Sequence, residues 1–121
     1  MGAPVVWFEI AGRDVAALAH FYGDLLSWRV DANNALGYGG VDTGGDGGIP
    51  GGIYAPGAET GDYVSVYAQV ADLDASLAHA ERLGGRTVQR PQTIPSGSRI
   101  AMILDPEGHR IGLIQPAAAE V

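Results

Sequence analysis

The sequence is written twice. Trp7, Phe8, Glu9 and Ile10, then Asp14, then Leu18, Ala19 and His20, then Trp28, Arg29 and Val30 form one series. It is echoed by Ser65, Val66, Tyr67 and Ala68, then Asp72, then Leu77, Ala78 and His79, then Arg86, Thr87 and Val88. The offset is 58 residues in the strand-like runs and 59 in the helix-like ones. A unit this long, repeated only once, is not a solenoid repeat. It predicts one domain of 121 residues made of two similar halves. The first module covers 4–55, the linker 56–61 and the second module 62–116. Either half alone, at about 55 residues, would be only marginally stable.

Periodicity gives each half the same plan. Residues 5–10 are β-branched and aromatic, as a strand requires. Asp14 sits where a helix N-cap belongs. Val15, Leu18, Ala19, Tyr22, Leu25 and Leu26 follow at helical spacing and are expected to face inward. Strands are expected at 28–32, 35–41 and 48–54, with a turn at Asn33 and Asn34. The second half repeats this. A strand at 63–70 leads to a helix capped by Asp72, with Leu73, Leu77, Ala80 and Leu83 inward, ended by Gly84 and Gly85. Strands at 86–90, 98–104 and 110–115 complete it. Residues 91–97, with two prolines, read as a loop, and 116–121 as a frayed tail.

Two motifs then carry a family resemblance. FYGDLLSW at 21–28 is similar to the "FY…LFGW" signature of the glyoxalase/bleomycin-resistance/dioxygenase group, the vicinal oxygen chelate superfamily. DPEGHRI at 105–111 resembles its "DPxGxxI" turn and last strand. The resemblance runs from Pro4 to Gln115. It implies an α+β fold: two βαβββ modules forming a mixed, mainly antiparallel, cup-shaped sheet with helices on the convex face. It also implies a two-fold homodimer.

Alternation along strands assigns the cup lining. Trp7 and Glu9 should face the cup from the first strand, and Val6, Phe8 and Ile10 the helices. Tyr63, Ser65, Tyr67 and Gln69 should face it from the fifth strand, with Val64, Val66, Ala68 and Val70 in the core. Arg110 joins them from the last strand. Aromatic surface with a few polar handles suits a small organic ligand. The alternative is a sheet face covered by a partner chain.

Metal-using members of the superfamily carry ligands on the first and last strands of each half. Carried onto this sequence, those positions are Trp7, Ser65, Gly112 and Gly52. None offers the nitrogen, carboxylate or thiolate that divalent ions take. His20 and His79 fall within helices and His109 in a turn. No metal and no other cofactor is expected. The glycine run GGDGGIPGG at 44–52 lacks the lysine and the strand-to-helix setting of a phosphate loop.

Composition bounds the rest. Net charge is −7 and no Lys/Arg cluster occurs, so no nucleic-acid partner is expected. There is no cysteine, no secretory signal and no run long enough to span a membrane, which points to a soluble cytoplasmic protein. Two functional readings stand. One is a metal-independent small-molecule binding protein resembling bleomycin-resistance proteins, with an aromatic-lined cleft. The other is a metal-free lyase- or isomerase-type enzyme related to lactoylglutathione lyase, using Glu9 for proton transfer. A structural hydrogen bond or a salt bridge, for instance to Arg110, is the competing role for Glu9. Whether the chain catalyses anything stays open.

Overall fold

A computed structural model of the chain describes residues 2–34 and 36–118. The strands are β1 (Val5–Ala11), β2 (Arg29–Asp31), β3 (Gly39–Asp42), β4 (Gly51–Tyr54), β5 (Tyr63–Gln69), β6 (Arg86–Thr93), β7 (Arg99–Leu104) and β8 (Arg110–Gln115). Helix α1 (Val15–Leu26) follows β1, and α2 (Leu73–Arg82) follows β5. This is the expected α+β fold of two βαβββ modules. Its strands are mixed and mainly antiparallel: in each module the first strand pairs in parallel with the fourth and the remaining neighbours are antiparallel. The chain divides into two compact units, 6–65 and 2–5 with 66–118.

In the first unit the strand order is β2-β3-β4-β1. The Asp14 carboxylate accepts from Ala17 N at 3.0 Å and so starts α1, as the sequence predicts. No side chain of α1 is fully buried. Leu25 and Leu26, expected inward, are 63% and 46% exposed. Aromatic rings hold the helix instead. Tyr22 stacks on Trp28 at 5.4 Å and Phe8 of β1 meets Trp28 at 5.3 Å. This explains the FYGDLLSW motif physically: its tyrosine, Tyr22, and its tryptophan, Trp28, clamp the helix end onto the sheet. Ile53 of β4 and Val41 of β3 are buried.

β3 begins later than expected. Asn34 Oδ1 accepts from the backbone N–H groups of Leu36 and Tyr38, each at 3.1 Å, and its Nδ2 donates to Tyr38 O at 2.7 Å. Gly37 adopts φ +65°, and residues 36–38 are folded into a side-chain-braced turn rather than a strand. Ala35, placed in that strand by the sequence, lies outside the described residues. β4 likewise starts at Gly51, since the preceding glycines form a loop with Gly44 and Gly47 at positive φ.

In the second unit the order is β5-β8-β7-β6. Asp72 caps α2 by accepting from Ala75 N at 3.0 Å. Leu73 and Leu77 are buried against Ala101 and Leu113, with Ala68, Val70 and Ile103 beside them. This is an ordinary aliphatic helix-on-sheet core. Leu83, expected inward, is 67% exposed because the helix has already ended there, and Val64 is 73% exposed. β6 continues through Pro91 to Thr93, where a loop was expected. Proline is tolerated because β6 is the last strand of its order and its pairing with β7 shifts register twice. Of the expected tail, residues 116–118 have no regular structure and 119–121 lie outside the described residues. No helix among the described residues is long and apolar enough to cross a membrane.

Candidate functional site

The face of the first unit that turns away from α1 carries the buried carboxylate Glu9. Paired residues on neighbouring strands share a face. Glu9 lies opposite Gly52, and Gly52 opposite Gly40, while Phe8 lies opposite Gly51 on the helix side. Trp7 and Glu9 therefore face away from the helix, as alternation predicts. Tyr54 belongs to the same row set, two residues beyond Gly52.

Glu9 is 5% exposed. A carboxylate that deep requires hydrogen-bond donors. Tyr38 donates its hydroxyl to Glu9 Oε2 at 2.8 Å, and Tyr63 donates its hydroxyl to Oε1. The indole Nε1 of Trp7 in turn donates to the Tyr38 oxygen at 3.0 Å. Tyr38 also packs on Tyr54, with ring centroids 5.6 Å apart. Burial raises the Tyr38 pKa far above the ordinary phenol range, and the neighbouring Glu9 charge pushes it the same way. That proton stays on Tyr38.

Of the residues expected to form the site, the structure brings Trp7, Glu9 and Tyr63 together. Ser65 is 4% exposed in the same unit. Tyr67, Gln69 and Arg110 belong to the second unit, where Tyr67 is 5% exposed and Gln69 lies at the surface. Sequence reading missed Tyr38. It assigned that residue to a glycine-weakened strand and gave it no face. A signal was present: Asn34 four residues before an aromatic, with Gly37 between them, is turn chemistry that redirects the next side chain. Tyr54 was missed for a simpler reason, being the last residue of a strand whose lining was not assigned.

The positions where metal-using relatives carry ligands do not fit a metal here. Trp7 is an indole whose N–H is already spent on Tyr38. A Cβ built on Gly52 would lie 1.9 Å from the Tyr38 hydroxyl, and one on Gly112 would lie 2.4 Å from the Tyr67 ring. Tyrosine rings thus fill the room that two ligand side chains would need. Among the described residues no group of three or more His, Cys, Asp or Glu side chains could hold an ion. The histidines are elsewhere: His20 lies 3.4 Å from Asp24 on the surface of α1, and His109 lies 3.0 Å from Asp105 in the β7–β8 turn. Two surface hollows lie away from Glu9. One is bordered by Arg29, Asp31, Asp42 and the glycine loop, another by the start of α2.

Known proteins place this geometry in context. Methylmalonyl-CoA epimerase of Streptomyces coelicolor shares the fold at a TM-score of 0.66 and 22% identity, over 100% of this chain and 99% of that one. Protein BH1468 of Bacillus halodurans C-125 does so at a TM-score of 0.73 and 11% identity, again over 100% and 99%. At such identities the likeness establishes the fold. The anthracycline biosynthesis protein DnrV of Streptomyces peucetius is 30% identical over 123 aligned residues, 88% of this chain and 44% of that protein. The chain thus spans less than half the length of that curated relative. The model of the glyoxalase-like domain family matches residues 7–114, from the indole that caps the Glu9 cluster into the last strand. With its paired modules, its aromatic helix clamp and this match, the chain belongs to the glyoxalase-like domain family, within the vicinal oxygen chelate superfamily.

Proposed function

We propose that this chain is a metal-independent small-molecule binding protein, similar in role to the bleomycin-resistance proteins, that holds an organic ligand against the face built by Trp7, Glu9, Tyr38, Tyr54 and Tyr63. The observation that carries the reading is Glu9. It is a buried carboxylate fixed by two phenols in an aromatic surround, on a strand face where Gly52, covered by Tyr38, stands at a metal-ligand position. Aromatic faces supply contact area at low entropic cost, and one fixed charge supplies orientation. Ser65 of the same unit, and Tyr67, Gln69 and Arg110 of the second unit, are further candidate ligand-binding residues in this reading, which takes the two modules as one domain. A cytoplasmic homodimer is the assembly we favour, because Phe21 and Leu25 leave an apolar stripe on α1 at 56% and 63% exposure.

The test uses protein freed of metal by a chelator, dialysed against a panel of flat aromatic and cationic compounds. Retention of a compound that is later recovered chemically unchanged supports the reading. Retention that needs added divalent metal, or a compound recovered as product, overturns it.

A second reading has one observation in its favour. The Glu9 carboxylate lies within reach of two hydroxyls, a proton-transfer arrangement, and the S. coelicolor epimerase that shares the fold was solved with 2-nitronate-propionyl-CoA bound. In this metal-free lyase- or isomerase-type enzyme Glu9 would move a proton. Recovery of an altered compound in the same assay, abolished by Glu9→Gln, is its signature.

A further inference from the structure

With the binding role just proposed as its basis, the identity of the ligand narrows at Tyr38. Gly40 of β3 lies opposite Gly52 of β4, and Gly52 opposite Glu9, so the two glycines share the row that carries the carboxylate. Neither has a side chain, and together they make a strip of bare backbone beside Glu9. They differ in what covers them. Among the described residues, a Cβ on Gly40 would meet no side chain within 4 Å. A hollow of about 440 Å³ reaches it, bounded also by Arg29, Asp31, Asp42 and the glycine loop. A Cβ on Gly52 would fall within the ring and hydroxyl of Tyr38. Tyr38 thus covers the strip between the hollow at Gly40 and the carboxylate at Glu9.

The bonds that hold Tyr38 there are ones a ligand can copy. Its ring packs on Tyr54, with centroids 5.6 Å apart at 41°. Its hydroxyl accepts from Trp7 Nε1 at 3.0 Å and donates to Glu9 Oε2 at 2.8 Å. Burial and the Glu9 charge keep that hydroxyl protonated. The requirement is one flat ring with one neutral hydroxyl that both accepts and donates. The attachment of Tyr38 to the fold is slight. It lies just before β3, between Gly37 at φ +65° and Gly39. Its backbone N–H and C=O both bond to the Asn34 side chain, and both bonds lie at the surface. Solvent-exposed bonds of this kind mark segments that open at low cost.

We infer that the Gly40–Gly52 strip is the floor of a phenol-binding site, that Tyr38 occupies it as a built-in plug, and that a phenolic ligand displaces Tyr38 by swinging it out on the Asn34 turn. The ligand ring takes the place of the Tyr38 ring over Gly52 and against Tyr54. Its hydroxyl takes over the bond from Trp7 and the bond to Glu9 Oε2. The hollow at Gly40, of a size usual for small-molecule sites, receives the rest of the ligand. The apparent affinity of such a site is its intrinsic affinity reduced by the fraction of molecules in which Tyr38 is out.

The probe is p-cresol, the tyrosine side chain as a free molecule, set against toluene, which lacks only the hydroxyl. The readout is the Trp7 indole N–H resonance, assigned by comparison with Trp7→Phe. p-Cresol is expected to shift it saturably and to bind about tenfold more tightly than toluene, which can make neither hydrogen bond. Asn34→Ala loosens the plug without touching its contacts over Gly52, and is expected to tighten p-cresol binding about fivefold. Tyr38→Ala removes the plug and should bind p-cresol at least about tenfold more tightly than the unaltered protein. Equal binding of p-cresol and toluene overturns the inference, as does a p-cresol affinity that Asn34→Ala leaves unchanged. A Trp7 resonance that p-cresol leaves in place in both the unaltered protein and Asn34→Ala also overturns it. Where Asn34→Ala fails to fold, silence in the unaltered protein alone has that force. In each case the binding role stands if the compound panel above still yields a retained compound, and falls as well if that panel is silent.

Discussion

The two halves of the molecule solve one packing problem in different ways. Each has a bare glycine on the strand face turned from its helix, Gly52 opposite Glu9 and Gly112 opposite Tyr67. Glu9 and Tyr67 stand 58 residues apart, at matching points of the duplication. In the second half Tyr67 lays its own ring over the glycine beside it. In the first half that position carries a carboxylate, which cannot fill the space. The ring comes instead from Tyr38, across the sheet and out of the Asn34 turn. The filler must then sit against a charge, so its hydroxyl points at Glu9 and its burial becomes a hydrogen-bond network. Duplication kept the backbone plan and the void. The change of one filler placed a charge in the first half, at a position the second half uses for packing.

The helices differ in parallel. α2 rests on Leu73 and Leu77, which are 0% and 7% exposed, whereas α1 is held by aromatic rings at its end. The largest expected effect tests that contrast. Leu73→Ala should cost about 3 kcal/mol by loss of transfer energy and a residual cavity. Leu25→Ala in α1 should cost under about 0.5 kcal/mol, as exposed positions do. Denaturant unfolding of the two variants measures both. Equal losses would mean that the helices pack alike, and the contrast would be gone.

The glycines come next. A Cβ at Gly112 would meet Tyr67 at Cγ as well as at the ring edge, 2.8 and 2.4 Å away. Cγ is anchored to the backbone and the ring is buried, so it has nowhere to go. Gly112→Ala should cost about 2–3 kcal/mol, the usual penalty of overpacking. At Gly52 the clash falls on the hydroxyl end of Tyr38, which can swing. Gly52→Ala should cost about 1 kcal/mol, and it should also move the Trp7 indole resonance, because the displaced hydroxyl is the acceptor of that N–H. A silent Trp7 resonance in Gly52→Ala would separate the void from the network.

How far this could be read in advance follows from the same particulars. The duplicated βαβββ plan was legible because its signals are local: Asp14 and Asp72 as caps, alternation in β1 and β5, and the DPEGHRI turn. Trp7, Glu9 and Tyr63 were legible as one face for the same reason. Tyr38 was not, because its direction is set by Asn34 through three hydrogen bonds and not by strand alternation. Leu25 and Leu26 were misplaced because helical spacing marks an apolar stripe without saying what covers it. Pro91 was taken for a loop because its tolerance depends on β6 being the last strand of its order, a tertiary fact.

Tyr38→Phe sharpens the comparison at the polar end of the filler. The ring still covers Gly52, while the indole of Trp7 loses its acceptor and Glu9 Oε2 loses this donor. The expected cost is about 1–2 kcal/mol near neutral pH. Its pH dependence has a definite sign. The folded pKa of Tyr38 lies above its unfolded value of 10.0. Its contribution is therefore fully present below that value and declines as pH rises above it. The stability gap between the unaltered protein and Tyr38→Phe should shrink above pH 10. A gap that is constant through pH 11 would show that the hydroxyl is not held in its protonated state.

The smallest effect concerns the loops that join the last two strands of each half. The first half spends eight residues there, many of them glycine, whereas the second uses a tight turn organised by Asp105. Its Oδ1 accepts from the backbone N–H groups of His109 and Glu107, each at 2.9 Å. The His109 backbone bond is the chief cause that holds the Asp105 pKa below its ordinary 3.8; the Glu107 bond and the His109 side chain act the same way. A carboxyl with a depressed folded pKa stabilises the fold above its unfolded value and loses that contribution as pH falls through the folded one. Asp105→Asn keeps an oxygen acceptor and removes the charge. Its melting temperature should therefore fall slightly short of the unaltered protein's at pH 6, and the two should converge toward pH 2.5. Asp42 in the first half also braces its loop, accepting from Gly44 N at 2.9 Å. If the Asp105→Asn deficit persisted unchanged to pH 2.5, the geometry of the turn and not its charge would be what the second half gained.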